Sequence, residues 1–244
     1  MQPERPFFSA HHPDVLHTKT KKQLFEEVVE AEHNGVKHDM VDYLSAFLHS
    51  EGYGLYVEKG EQVDPNKPLL VALNHHSRQR YFTTEESLRT VAIASVSARD
   101  HGVTDRHIAW MIRELPIPPV GIGKLARKVQ NATGSVFDSV TAKTVKKISF
   151  KGGIPKLRET MTKEDTTSLI TRVANRVQNG NALGIFPEQE PTWELKPHHR
   201  NFERTLNSLK MLAPEYQIAT LSVFYEGKLA HAIYGPVIKF TRES

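Results

Sequence analysis

The sequence predicts an α/β fold with a mixed central β-sheet flanked by helices, and three observations support this prediction. Short continuous apolar runs at residues 69–73 and 182–186 have the length and composition of buried strands. Residues 85–98 and 163–178 carry apolar side chains at helical spacing. An apolar strand pair near the end of the chain turns at residues 226–228. Strands that alternate with helices are typical of a layered α/β domain.

An N-terminal pair of amphipathic helices is predicted ahead of this domain. Apolar residues recur at helical spacing over residues 24–29 and 40–48, and a glycine follows each run. The proline-containing residues 1–20 are expected to form an irregular arm. The helical pair has two interpretations: it covers the protein core, or it lies on a lipid surface. The predicted division of the chain is an arm and helical pair at 1–50 and an α/β domain at 51–244.

The composition excludes several classes of protein. The chain has 244 residues, of which 39% are hydrophobic and 25% charged, as in globular proteins and unlike collagens or disordered chains. It contains no cysteine, so thiolate chemistry is excluded and a cytoplasmic location is expected. No signal peptide is recognisable, and no apolar run approaches the roughly 18 residues that cross a bilayer. Any membrane contact is therefore expected to be peripheral, on the inner face of the membrane.

Positive charge is concentrated in residues 124–151. The formal net charge of the whole chain is only +4, whereas this segment holds seven basic residues and one acid, Asp138. Such an excess predicts either a solvated face or a surface that binds phosphate groups. Contact with an anionic membrane through Lys143, Lys146 and Lys147 is one form of the second interpretation. The segment has few aromatic residues to stack on bases, so no nucleic acid partner is expected.

Two of the predicted strands end in polar clusters. Asn74, His75, His76 and Ser77 follow the first buried strand, and residues 187–190 follow the second. In open α/β sheets, sites form beyond the carboxyl ends of strands. An imidazole and carboxylates are therefore expected to meet at one edge of the sheet, where they could act as a general base.

These clusters resemble motifs of the glycerophospholipid acyltransferase family, of the lysophosphatidic acid acyltransferase type. Residues 74–77 resemble its N-H-x-S motif, residues 152–158 its second block, which ends in arginine, and residues 184–188 its FPEG block. Four further segments fall in the family's order, at residues 57–74, 112–118, 194–202 and 223–236. The resemblance covers about residues 50–240.

The resemblance implies an O-acyltransferase. Its co-substrate would be acyl-CoA or acyl carrier protein, and its acceptor a hydroxyl of a lysophospholipid or of a glycerol-phosphate-type molecule. His75 is implied to be the general base, Arg158 and the basic segment are implied to hold phosphate, and no tightly bound cofactor or metal is implied. The other residues expected to line the substrate site are Asn74, His76, Ser77, Arg80, Pro187, Glu190, Lys196 and Arg200.

The chain departs from the family pattern beside the histidine. Five positions after His75 the family has an aspartate that orients the imidazole, whereas this chain has Arg80. A guanidinium cannot accept the imidazole proton. The orienting acid is therefore expected to be Glu85, Glu86 or Glu188.

The third block also departs from the pattern. Gln189, Glu190 and Pro191 replace the family's glycine, threonine and arginine. Glu190 would repel an acceptor phosphate, and the nearby Lys196 and Arg200 could restore positive charge.

Two alternatives stay open. One is a catalytically inactive protein of the acyltransferase fold that binds lipid or a partner, which would explain both departures. The other is a metal-dependent enzyme, because imidazole and carboxylate groups are common metal ligands. Its candidate ligands are His75, His76, Glu188, Glu190, His198 and His199.

Overall fold

The computed structural model describes residues 8–9, 18–38, 40–74, 84–100, 103–104, 106–113, 140–142, 145–151, 154–160, 163–179, 182–187, 203, 206–207, 209–210 and 215–240. Its helices are α1 (Lys21–His33), α2 (Met40–Ser50), α3 (Thr84–Asp100) and α4 (Lys163–Gln178). Its strands are β1 (Phe8–Ser9), β2 (Lys37–His38), β3 (Gly54–Glu58), β4 (Leu69–Leu73), β5 (Ile108–Arg113), β6 (Val140–Ala142), β7 (Val145–Lys151), β8 (Ile154–Thr160), β9 (Ala182–Ile185), β10 (Tyr216–Glu226) and β11 (Leu229–Phe240).

Six strands form the central sheet in the order β3-β11-β10-β4-β9-β5, and the short β6 extends it beyond β5. β10 and β11 pair antiparallel, and the other neighbouring strands of this sheet pair parallel. The predicted mixed sheet of an α/β fold is therefore confirmed. β7 and β8 form a separate antiparallel ribbon, which the sequence analysis did not predict.

Helices cover both faces of the sheet. The residues of β4 are buried throughout, as its continuous apolar run predicts. Leu69, Val71 and Leu73 pack into one core cluster with α1, α2 and α3, whereas Leu70 and Ala72 pack with α4 on the opposite face. None of the helices in the described ranges is both long and apolar enough to cross a membrane.

The two N-terminal helices contribute to the first of these core clusters. A capping box formed by Thr20 and Gln23 begins α1, since each side chain bonds the backbone N–H of the other residue. The Phe25 and Phe47 rings, on α1 and α2, lie 6.0 Å apart between centroids. The buried apolar residues of both helices share this cluster with the sheet, as the core-covering interpretation expects. The predicted domain boundary at residue 50 stays a prediction.

Two hydroxyl pairs fix α3 on the sheet. Thr90 Oγ1 lies 3.2 Å from the Tyr225 hydroxyl of β10, and Ser97 Oγ lies 2.9 Å from the Tyr234 hydroxyl of β11. Burial raises the pKa of Tyr234 well above its usual value, so that its hydroxyl stays protonated. Because such directional bonds inside a core must be satisfied, they favour one position of α3 along the strands.

Candidate functional site

The candidate site lies at the edge of the sheet where β4 and β9 end. These two strands are parallel neighbours, with Leu69 paired to Ala182 and Ala72 paired to Ile185. Their carboxyl ends therefore lie side by side. The described chain continues to Asn74 after β4 and to Pro187 after β9, and both residues are half-buried. The two polar clusters singled out in the sequence follow these residues directly.

Most of the predicted site residues lie outside the described residues. They are His75, His76, Ser77, Arg80, Glu188, Glu190, Lys196 and Arg200. The backbone places Glu85 and Glu86 in the first turn of α3, where acids also stabilise a helix through its dipole. It places Arg158 in β8, opposite Lys147 of β7. The roles assigned to all of these residues stay predictions.

Asn74 extends the pairing of β4 with β10 by using its side chain. Its backbone N–H donates to the Leu221 carbonyl oxygen at 3.3 Å. Its side-chain Nδ2 then donates to the Val223 carbonyl oxygen at 3.1 Å, and its Oδ1 accepts the Val223 N–H at 2.7 Å. The amide group thus occupies the place of the next peptide unit of the strand. This fixes the point at which the chain leaves the sheet.

Replacing Asn74 with alanine is expected to destabilise the protein by about 2 kcal/mol, because the Val223 N–H and C=O lose their partners. Asn74→Asp is expected to be no better, since one carboxylate oxygen would face the Val223 carbonyl oxygen. Urea unfolding monitored by circular dichroism measures both changes. Asn66→Ala, at an exposed turn, is the matched control. Equal stabilities for the Asn74→Ala and control variants would contradict this role of Asn74.

An aromatic pair anchors the chain where it leaves β9. The half-buried Phe186 ring lies 5.6 Å from the ring of Trp110, which is fully buried in β5. Trp110 Nε1 in turn donates to Ser95 Oγ of α3 at 2.8 Å. The segment that continues toward Glu188 therefore starts from a fixed point. Trp110 is not among the predicted site residues, although a tryptophan inside an apolar run is a signal that the sequence contains.

An ion pair that the sequence analysis also missed fixes the beginning of α3. Arg89 Nε donates to Glu51 Oε2 at 2.8 Å, and the guanidinium carbon lies 4.8 Å from the centroid of the Tyr53 ring. Only 10% of the Glu51 side chain is exposed. Arg89 follows Glu85 by one helical turn, so the pair holds this end of α3 against the end of α2. Arg89 and Glu51 carried no sequence signal, because isolated charges at helix ends are common on surfaces.

A metal centre finds no support in the described ranges, where no three His, Asp or Glu residues group closely enough to hold an ion. The six ligands named for that alternative lie outside these ranges. A metal-dependent activity therefore stays an untested alternative.

The candidate site is thus defined by two adjacent strand ends, with Asn74 and Phe186 as their fixed points. In the sequence, the imidazoles of His75 and His76 follow the end of β4, and the carboxylates of Glu188 and Glu190 follow the end of β9. Compared with known proteins, the sequence matches neither a family model nor a curated protein.

Proposed function

We propose that this protein transfers a fatty acyl group from an acyl thioester, acyl-CoA or acyl carrier protein, to the hydroxyl of a lysophospholipid or glycerol-phosphate-type acceptor. His75 is the general base, and Glu188 is the acid that orients it. The observation that carries this proposal is the parallel pairing of β4 with β9. This pairing supports the proposal because the segments that lead to His75 and to Glu188 start from neighbouring strand ends.

The register of the two strands supports the pairing of His75 with Glu188. Each β4 residue pairs with the residue 113 positions later, as Leu69 does with Ala182. His75 and Glu188 are also 113 positions apart in the sequence. The last pair of this register is Ala72 with Ile185, so the segments that lead to His75 and to Glu188 leave neighbouring strand ends.

The alternation of the strands supports the same pairing. In β4 the odd-numbered residues belong to the core cluster on the α3 face, and in β9 Ala182 and the following Phe186 pack into that cluster. Side chains two positions apart share a face of a strand. The chain therefore leaves β9, at Phe186, on the same face as the odd-numbered residues of β4. Because Glu188 follows Phe186 by only two residues, we favour it over Glu85 and Glu86, which stand ten and eleven residues after His75.

The chemistry requires one base and one returning proton. Neutral His75 takes the proton of the acceptor hydroxyl while that oxygen attacks the thioester carbonyl carbon. The tetrahedral intermediate collapses, the carbon–sulfur bond breaks, and His75 returns the proton to the departing thiolate. An ester and a free thiol result, and no oxidant or metal is consumed. A carboxylate at the other imidazole nitrogen fixes the tautomer and stabilises the imidazolium that forms in between.

Phosphate groups of both substrates have cationic partners in this proposal. Arg158, Lys196 and Arg200 are assigned to the acceptor, and the basic segment to the coenzyme A arm. Arginine suits such a role because its planar fork binds phosphate with two bonds. Asn74 contributes by fixing the backbone immediately before His75.

The proposal is tested by incubating the purified protein with acyl-CoA or with acylated carrier protein and a total lipid extract. Release of free thiol is followed with a thiol-reactive dye, and new acylated species are identified by mass spectrometry. We expect thiol release that depends on the lipid extract, together with a new ester. This outcome establishes the reaction and identifies the acceptor.

Failure of every donor to give a product would overturn the catalytic proposal. Binding of the same lipids without turnover would then favour the inactive acyltransferase-fold alternative. A reaction that stops on treatment with a chelator and returns with a divalent metal would favour the metal-dependent alternative.

A further inference from the structure

Strand β3 forms one edge of the central sheet. It pairs with β11 on one side, and none of the strands that the structure describes pairs with its other side. The backbone N–H of Gly54 donates to the carbonyl oxygen of Lys228, just before β11, at 2.9 Å. Because successive residues of a strand direct their peptide groups to opposite sides, Leu55 and Val57 direct theirs away from β11. These outward N–H and C=O groups form a template for a further strand.

The sequence of β3 lacks the usual features that block pairing at a sheet edge. Natural proteins protect such edges with a lysine, a proline or a bulge in the edge strand. The strand Gly54–Glu58 contains no lysine and no proline, and its only charge is at its last residue. Its register with β11 is regular from end to end. Nothing in the strand itself therefore opposes the addition of another strand.

A row of three rings crosses the sheet and ends at this edge. The register places His231 of β11 beside Phe224 of β10 on one side and beside Tyr56 of β3 on the other. The ring centroids of Phe224 and His231 lie 4.6 Å apart, and those of His231 and Tyr56 lie 5.4 Å apart. Only 15% of the His231 side chain is exposed, whereas Tyr56 is 50% exposed. The row thus ends in a half-exposed ring at the open edge, where a further aromatic side chain would extend it.

We propose that two copies of this chain form a dimer by pairing their β3 strands antiparallel, with the two Tyr56 residues opposite each other on the two-fold axis. Each copy then uses the same surface, as a closed dimer requires. Leu55 lies opposite Val57 of the second copy, and since both residues direct their peptide groups outward, each such pair forms two hydrogen bonds. The Tyr56 pair occupies the position between them, where opposed side chains approach most closely. The two aromatic rows therefore join into one.

The side chains of β3 suit a second copy of the same strand. Directly opposed side chains lie on the same face of a sheet. Leu55 and Val57 pack against the core cluster on the α3 face, so the opposed leucine and valine of two copies extend its apolar surface. On the other face Glu58 lies opposite the exposed Gly54 of the second copy. The five residues of the strand thus pair without placing like charges opposite each other.

The test is sedimentation equilibrium of the full chain over a roughly hundredfold range of concentration, because dimerisation follows mass action. We expect the mass to rise from that of one chain toward that of two. The Tyr56→Lys variant is expected to have a dissociation constant about tenfold higher or more, since two like charges then meet at the axis and the pair of rings is lost.

The matched control is Phe224→Lys. It removes the half-exposed ring at the other end of the same row, on a strand inside the sheet, and leaves the β3 edge unchanged. This variant is expected to dimerise like the unmodified protein. Mixing the Tyr56→Lys and Tyr56→Glu variants is expected to restore dimers that contain one of each, because opposite charges then face each other across the axis. Such restoration also shows that both variants are folded.

Three outcomes would overturn the proposal. They are the mass of one chain at every concentration, the same dissociation constant for the Tyr56→Lys and Phe224→Lys variants, and no dimer in the mixture of the Tyr56→Lys and Tyr56→Glu variants. Each readout is a mass, so the result does not depend on whether the protein transfers acyl groups.

Discussion

Replacing His75 with alanine is expected to lower the rate of acyl transfer about 10³-fold, because the acceptor hydroxyl then has no base to take its proton. Glu188→Gln is expected to cause a loss of similar size, about 10³-fold, since a neutral amide neither fixes the tautomer of His75 nor stabilises its imidazolium. Both losses should appear in kcat. The measurement is initial thiol release at saturating acyl donor.

Matched controls for these two variants come from the exposed end of α1. His33→Ala and Glu32→Gln remove the same groups at exposed positions outside the predicted site and should leave the rate unchanged. All four variants should unfold at the urea concentration of the unmodified protein. Full activity of His75→Ala would show that another group is the base. Full activity of Glu188→Gln with an inactive His75→Ala would return the orienting role to Glu85 or Glu86.

Gly184→Ala is expected to cause the largest loss of stability, about 3 kcal/mol or more. A Cβ atom at this central position of β9 would lie 2.5 Å from Cδ2 and 2.6 Å from Cζ3 of the Trp110 ring. The ring has no room to yield, because it is fully buried and its Nε1 is bonded to Ser95. For a chain of this size the change corresponds to a fall in Tm of roughly 6–12 °C, measured by thermal unfolding.

A second glycine of the sheet provides the control for this prediction. A Cβ atom at Gly54 of β3 would meet only Leu229 Cδ1 at 3.4 Å, which is an ordinary contact. Gly54→Ala should therefore change the stability by less than about 1 kcal/mol. Combining Gly184→Ala with Trp110→Leu should cost less than the sum of the two single changes, since the clash is removed. Strict additivity would show that the ring is not the cause.

Much of the fold was predictable because its strongest signals are local. The apolar runs of β4 and β9 identify strands buried on both faces, and the periodicity of α4 gives a helix with the bounds that the structure has. The β7–β8 ribbon was missed because lysines, an arginine and Pro155 dilute its strand pattern. The order of the strands in the sheet could not be predicted either, because pairing between distant segments produces no periodic pattern in the sequence.

The candidate site also has features that the sequence predicts and features that it does not. Polar residues after two buried runs are visible in the sequence, and they suggested one sheet edge without showing that the two strands are neighbours. The pairing register of β4 with β9 supplies that relation. The bonds of Asn74 to Val223 and the contact of Phe186 with Trp110 could not be predicted, because each depends on a strand from a remote part of the chain. The match of His75 to Glu188 stays a prediction.

The position of β4 between β9 and β10 has a consequence for folding during synthesis. β4 is synthesised early, but its strand partners come much later. Leu69 pairs with Ala182, which is 113 residues further along the chain, and with Gln217, which is further still. Contacts so distant along the chain form slowly. During synthesis, the apolar segment Leu69–Leu73 is therefore expected to stay unpaired and prone to aggregation until most of the chain has left the ribosome. The pairing that brings these two strand ends together thus leaves an apolar segment of the nascent chain without its strand partners during most of its synthesis.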